Sequence, residues 1–562
     1  MKKLLTFFLV ILVAFSAFAG GGQASQSQPS GTVAKGTLPL TKDNVTFTVF
    51  IAGLGNSVTS FSYNDNTFTK RIVDTTGIKL DFIAVSPADA RTRLNAMLAS
   101  SDYPDLLMKQ DLSVGDLSYW GSQGVFQSLD NYNITSWPNI KAMMDEYPQL
   151  DKVIRGADGK IYGLPAVNDC LHCVYSYGRA YYYMPWARDN NKKLPETIAE
   201  LTDYLRWIQN TDLNKNGKKD EIPIAFSADQ LNQAVAYVAK AYMPFVLTAN
   251  YTGLALNKGK VWEQYRENEF RQALATMASW YKEGLIAPNS FTMTADQARA
   301  LAHNDDPLVG IFFANWSPAR QPSDRWMELF QLKPVAGPAG VRYASNADPW
   351  SILKTDMIIT TKCKNPELAV GLYDYLLNFD VQMEGYIGRK GEAWDSPDPG
   401  ALSLMGGNPL YKILVTFHGQ RINGSWDQYN PMAQTKEFRL GEQAKDVDIV
   451  KKWWATGDPS LRDVCMANGS YNEQNNFYQS NQMIPWAIPD EYFIPPVVLN
   501  DADNDRVSEI NAVITPYQQL AWSEFITGRR DINSDTAWNA YLADLDRMGS
   551  KDLVTIYQKY IK

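Results

Sequence analysis

Twelve consecutive residues carry the most specific chemistry in the chain: Asp212-Leu213-Asn214-Lys215-Asn216-Gly217-Lys218-Lys219-Asp220-Glu221-Ile222-Pro223. Oxygen-bearing side chains stand at positions 1, 3, 5 and 9 and a glycine at position 6, the spacing of a calcium loop. Alternate residues aim their oxygens at one centre, and Gly217 permits a sharp turn that a Cβ would obstruct. Position 12 is Pro223 instead of the usual bidentate Glu, so Glu221 at position 10 is placed to supply that carboxylate. The expected ligands are Asp212, Asn214, Asn216, the Lys218 carbonyl, Asp220 and Glu221. The alternative is a polar turn, because Asn-Gly and Asp-rich runs are turn signals in their own right. Without a partner hand nearby, calcium here reads as a structural clip and not as a sensor.

Four cysteines form the second group: Cys170, Cys173, Cys363 and Cys465. Cys170-Leu171-His172-Cys173 has CxxC spacing, but it lacks the strand-to-helix setting of a thioredoxin site, and no second ligand pair accompanies it. The spacing leaves two states open, a local disulfide and reduced core thiols; redox or zinc chemistry is the weaker reading. Asp501-Ala502-Asp503-Asn504-Asp505 also alternates carboxylates, but it lacks the glycine and the closing acid and reads as the acidic start of a helix.

The residues before these elements read as targeting. Lys2 and Lys3, the apolar run Leu4 to Phe15 and Ala17-Phe18-Ala19 form a secretory signal over 1–19. The stretch 20–44 is Gly-, Ser-, Gln- and Pro-rich and reads as a flexible leader. No cysteine follows the expected cleavage point, so a lipid anchor there is not expected; the exported chain is expected to be periplasmic or secreted and soluble. The net charge is −8 and no block of Lys or Arg resembles a nucleic-acid footprint. Sixteen Trp and thirty Tyr in 562 residues suit sugar binding, because pyranose rings stack on aromatic faces.

More than 500 residues exceed one core, so two or more lobes are expected. Strand patterns at Val45–Ala52, Ile78–Ala84 and Leu106–Met108 alternate with a helix over Ala88–Ala99, which predicts a mostly parallel sheet with helices on its faces. Further strands are predicted at Ile161–Pro165, Ile222–Phe226, Val309–Phe313 and Met357–Thr360. Helices are predicted from Pro195 to about Gln209, over Phe270–Tyr281 and over Pro366–Asn378. The last 150 residues look mainly helical.

The order of several short motifs resembles the extracellular solute-binding proteins of family 1, which serve carbohydrate ABC transporters, and within them the alginate-oligosaccharide-binding and LipO-like group. The matching pieces are Ser101-Asp102-Tyr103-Pro104-Asp105-Leu106-Leu107, Asp158-Gly159-Lys160-Ile161-Tyr162-Gly163-Leu164-Pro165, Leu194-Pro195-Glu196-Thr197, the calcium-type loop, and Phe525-Ile526-Thr527-Gly528. The segment Asn168–Cys173 also resembles part of some members. The resemblance implies an α/β, two-lobe periplasmic-binding-protein fold (type II-like) with a hinge and a helix-rich C-terminal part. Lobe 1 is expected at 45–165 and 345–410, and lobe 2 at 166–344 and 411–562. It implies the substrate-binding component of an ABC importer: a non-enzymatic monomer that closes on an oligosaccharide and meets a membrane permease transiently. It also places calcium on the same ligand set. The rivals are a secreted calcium-stabilised glycoside hydrolase and a calcium-dependent adhesion protein.

Ligands in open α/β sheets lie beyond the carboxyl ends of strands. That rule selects Trp316 with Asn315, Tyr119 with Trp120, Tyr177 with Tyr175 past the first expected hinge, and Arg389 and Trp394 flanking a Gly-rich turn. Asp105 precedes its strand and rests on the family resemblance.

Overall fold

The computed structural model describes residues 37–53, 62–110, 112–174, 178–247, 253–315, 317, 324–344, 349–415, 423–426, 431, 433–467 and 473–561. The expected signal at 1–19 lies outside the described residues. Among the described residues no helix is long and apolar enough to cross a membrane.

Two sheets organise the chain. The first contains β1 (Val45–Ala52), β2 (Ile78–Val85), β3 (Leu106–Met108), β4 (Gly163–Asn168), β11 (Leu353–Ile359) and β14 (Ala433–Gln434), in the order β14-β4-β11-β3-β1-β2. The second contains β5 (Arg179–Tyr183), β6 (Ile222–Ala225), β9 (Val309–Ala314) and β10 (Leu329–Gln331), in the order β10-β5-β9-β6. Two hairpins complete the set: β7 (Leu254–Asn257) with β8 (Lys260–Glu263), and β12 (Trp394–Asp395) with β13 (Lys412–Ile413).

Side-chain alternation explains why the first sheet is covered on both faces. Phe47, Val49 and Ile51 of β1, Leu106 and Met108 of β3, and Met357 and Ile359 of β11 enter one core. Their neighbours Phe50, Leu107 and Ile358 enter another, with Leu94 and Leu98 of the Pro87–Ala99 helix and Leu117 of the Val114–Ser122 helix. The second sheet is also buried on both faces. Its core takes in the apolar stripes of the Ile198–Asn210 and Asn268–Lys282 helices and of the C-terminal helices, including Trp522 and Phe525.

Strand direction follows from the connections. In the first sheet β1, β2 and β3 are parallel, β14 is parallel to β4, and β11 is antiparallel to both β3 and β4. In the second, β6 and β9 are parallel, while β5 is antiparallel to β9 and β10. The reversed strand in each sheet, β5 or β11, is the first to receive the chain from the other sheet. Each enters from the side where the remaining strands end. The carboxyl ends of both sheets therefore share one side, where the chain passes between the lobes.

Among the described residues there are three such crossings: β4 to β5, β10 to β11, and β14 to the Val447–Thr456 helix, whose Val450 and Trp453 lie in the second core. The expected lobe boundary at 410/411 is corrected by these pairings. It would split the β12–β13 hairpin and assign β14 to the wrong sheet. Trp426 gives the same answer: it is fully buried in the first core, edge-on to Phe68 and Phe82, and its indole N–H donates to Thr69 Oγ1 at 2.8 Å. Lobe 1 runs to about Leu440. The leader is also shorter than expected: Leu40 packs on the first core, and the Thr41 N–H donates to the Thr76 carbonyl at 3.2 Å.

Trp426→Ala removes a buried ring and its hydrogen bond to Thr69, whose hydroxyl keeps its own bond to the Tyr63 carbonyl at 2.6 Å. The expected cost is about 3–5 kcal/mol of lobe 1 stability, read as a lower denaturant midpoint. An unchanged midpoint would return residues 423–426 to a peripheral role.

Candidate functional site

The side shared by both sheets' carboxyl ends is the candidate ligand cleft. On lobe 1 it is edged by Ala52, Val85, Met108, Asn168 and Gln434, and on lobe 2 by Ala225, Ala314, Gln331 and the entering Arg179. The Asn168 Oδ1 and Gln331 Oε1 atoms are buried and have no hydrogen-bond partner among the described residues. Free amide oxygens at strand ends suit hydroxyl donors. Sequence reasoning missed both residues; only strand pairing places them at this edge, since β4 runs to Asn168, beyond the predicted end at Pro165.

Charge at this edge is managed internally. Lys109 directly follows β3 and pairs with Asp356, whose other oxygen accepts from Tyr373 Oη at 3.1 Å. Lys240 is almost fully buried beside Gly178, and burial pulls its ammonium down to about 7. Its carbonyl accepts the Tyr343 N–H at 3.1 Å, tying the second crossing to lobe 2.

The lobes also meet at a rim. Gly115, in the Val114–Ser122 helix of lobe 1, faces Asn504 in the Asp501–Thr527 helix of lobe 2. A Cβ added at Gly115 would lie 2.3 Å from Asn504 Nδ2. Asn500 caps that long helix, and Asp503 accepts from Lys559 and Tyr560, so the carboxylates of Asp501–Asp505 do form an acidic helix start.

The expected ligand-facing residues fare differently. Tyr177 and Trp316 lie outside the described residues, as does Tyr175. Tyr119 is 54% exposed on the rim helix, its ring edge-on to Trp120 at 4.9 Å. Asn315 follows β9 at the cleft edge, where its N–H donates to Gln230 Oε1 at 3.0 Å. Arg389 is exposed and pairs with Glu392 at 3.6 Å.

Two expectations are corrected. Trp394 is 1% exposed in a satellite core with Phe379 and Tyr411, so its faces are already covered by protein. Asp105 stands at the amino end of β3, opposite the cleft. Its Oδ2 accepts from Thr48 N and Thr48 Oγ1 at 2.8 and 2.7 Å, which makes it a strut between β1 and β3.

The calcium-type loop joins the Ile198–Asn210 helix to the amino end of β6, also away from the cleft. Lys215 and Gly217 adopt positive φ of 60° and 82°. Asp212 accepts from Asn216 N and Gly217 N at 3.1 and 3.0 Å, and Asn216 Oδ1 accepts from Lys218 N at 2.8 Å. Glu221 is only 5% exposed. Its Oε1 accepts from Leu213 N and Asn214 N at 2.5 and 3.0 Å, while its Oε2 is buried with no hydrogen-bond partner among the described residues. A buried anionic oxygen without a partner is costly. An oxygen-seeking cation would satisfy it, so the donor types suit the expected metal, but the carboxylates of Asp212, Asp220 and Glu221 do not all stand within 4.8 Å of one another in this arrangement.

The CxxC residues form a disulfide, Cys170–Cys173, while Cys363 and Cys465 are free and buried. Of the two states that the spacing left open, the structure has the first.

No family model matches the chain. It is 23% identical over 520 residues, 88% of this chain and 87% of the relative, to the fructooligosaccharide ABC transporter substrate-binding protein FusA of Streptococcus pneumoniae serotype 4. FusA with kestose superposes with a TM-score of 0.71 at 20% identity, covering 92% of this chain and 98% of that one. An EF-hand mutant of FusA with fructo-nystose gives 0.70. An HMO-binding, ABC-transporter-associated solute-binding protein from Bifidobacterium longum infantis gives 0.72 at 17% identity, covering 92% and 98%. The alginate-binding protein AlgQ2 without calcium ion gives 0.63 at 19% identity, covering 93% and 98%. The relatives and structural neighbours of this chain are thus carbohydrate ABC transporter substrate-binding proteins, and its fold is that of the two-domain solute-binding proteins.

Proposed function

We propose that the protein is the substrate-binding component of an ABC importer and captures an oligosaccharide between its lobes. The observation that carries the reading is topological: the strands of both sheets end at one gap spanned by three chain crossings. Contacts from both lobes to one ligand favour the closed arrangement, and closure needs no bond to be made or broken. The FusA relative, named for fructooligosaccharide, supports a sugar as ligand. Asn168 and Gln331 are the polar contacts that the described edge offers, and Tyr119, Trp316 and Tyr177 remain candidate ring platforms. Recognition by a membrane permease follows from the same reading, as does an exported, periplasmic or extracellular monomer.

Calcium belongs to the proposal as a structural ion, held by Asp212, Asn214, Asn216, the Lys218 carbonyl, Asp220 and Glu221. It would offset the buried Glu221 charge and fix the helix-to-strand connection of lobe 2, away from the ligand. The FusA EF-hand mutant and the calcium-free AlgQ2 structure speak for such sites in relatives.

Three outcomes test this reading. Kestose or another oligosaccharide from a neutral panel binds one per chain by calorimetry and is recovered intact by mass spectrometry; cleaved products would establish the hydrolase instead. Gly115→Leu overpacks the rim at Asn504, and an overpacking cost of about 1–3 kcal/mol corresponds to roughly 5- to 150-fold weaker binding with the melting point kept; equal affinity would exclude the Gly115–Asn504 contact from the bound state. Chelation, or Glu221→Gln, lowers the melting temperature by about 5 °C, as expected for loss of an ion present at a hundred times its Kd. A verified metal-free sample that melts unchanged would contradict the clip.

A further inference from the structure

The Cys170–Cys173 disulfide occupies the mechanical centre of the three crossings. It lies in the first, two residues past β4. Leu171, between the two cysteines, packs against two small apolar groups. One holds Ala344 of the second crossing and Met483; the other holds Leu440 of the third crossing, with Leu404 and Phe477. Both lobes grip the same turn. Arg439, from the lobe 1 side, donates from Nη2 to Cys170 Sγ at 2.9 Å and from Nη1 to Gln434 Oε1 at 3.1 Å. Arg179, the first residue of β5 in lobe 2, donates to the His172 carbonyl and to Tyr181 Oη.

The two sulfurs differ. Cys170 is fully buried against Arg439, with the His172 ring 3.4 Å away; Cys173 is only partly buried. We propose that this disulfide is a thiol–disulfide exchange site that sets the stiffness of the hinge, with a dithiol reductant as its reaction partner. A thiolate of the dithiol attacks the accessible Cys173 sulfur. The Cys170–Cys173 bond breaks, and Cys170 leaves as a thiolate beside the Arg439 guanidinium, which stabilises the leaving group. The second thiol of the reductant then attacks its own sulfur in the mixed disulfide and releases Cys173. The reductant ends as a disulfide, and two electrons and two protons pass to the cysteines; His172 stands where it can deliver one proton to Cys170. Cys170, His172 and Cys173 also place three donor atoms within 4.8 Å of one another. A guanidinium on one of those sulfurs opposes a divalent cation there and favours the redox role.

The functional consequence rests on the hinge-closure reading above, but the test needs no sugar. The full-length exported protein is treated with dithiothreitol without denaturant, alkylated and mapped by mass spectrometry, and amide exchange is compared between the two redox states. Modification of Cys170 and Cys173 with Cys363 and Cys465 spared, together with at least tenfold faster exchange in peptides covering 163–174 and 433–446, is expected. Cys170→Ser/Cys173→Ser should reproduce the reduced pattern. Arg439→Gln should move the pH profile of Cys170 alkylation upward, a shift that a purely structural arginine would not cause. A disulfide that resists the dithiol in the native protein, or crossings whose exchange is equal in both states, would overturn the proposal. So would a reduced protein that takes up one zinc and regains the oxidised exchange pattern. Failure to bind any sugar would leave these readouts unaffected.

Discussion

A chain that passes between two sheets three times must enter each new sheet from the gap. The entering strand therefore runs away from the gap, against its neighbours. β5 and β11 are those strands, and their reversed direction brings both sets of carboxyl ends to the same side. Backbone groups at strand ends have lost their ladder partners, and the loops that follow are free to vary. Two such edges facing each other across three connections define the candidate cleft without any further device. The ligand edge, the rim contact at Gly115 and the cysteine turn all follow from that one constraint on direction.

The opposite ends of the sheets do different work. There Asp105 ties β1 to β3, and the loop over 212–223 closes the approach to β6. Both features place carboxylates where backbone N–H groups or a cation can satisfy them, and both stiffen a lobe without touching the gap. Rigid lobes matter to the proposed closure, which transmits ligand contact energy to the hinge only if the lobes do not deform. The doubly covered sheets, with both faces packed, provide the same rigidity through burial.

Much of this was legible in the residue order, for identifiable reasons. Val45–Ala52 was readable because Val45, Phe47 and Val49 alternate with Thr46 and Thr48; the structure has the same eight residues as β1. The turn over 212–223 was readable because its Asn-Gly and Asp-rich run favours the positive φ that Lys215 and Gly217 adopt. β5 was missed: Arg179-Ala180-Tyr181-Tyr182-Tyr183 has no polar alternation, because both faces are buried and even its arginine is enclosed. Trp394 was misread because its position after a Gly-rich turn says nothing about the satellite core that covers it. Asp105 was misread because a motif shared with a family does not reveal which end of a strand it occupies. The lobe boundary was misplaced because β14 has two residues, too few for any pattern, and only pairing with β4 reveals it. Asn168 and Gln331 carry no sequence signal beyond being amides; tertiary position alone makes them candidates.

The central claim is that two rigid bodies change their separation when a sugar binds. Spin labels at Lys79→Cys on lobe 1 and Lys282→Cys on lobe 2, both exposed positions, report that separation directly by pulsed dipolar spectroscopy. A distance distribution that shifts and narrows on saturation with a bound oligosaccharide, while label pairs within either lobe stay fixed, is the predicted result. An interlobe distribution that is identical with and without the sugar, in protein shown to be saturated, would contradict the account.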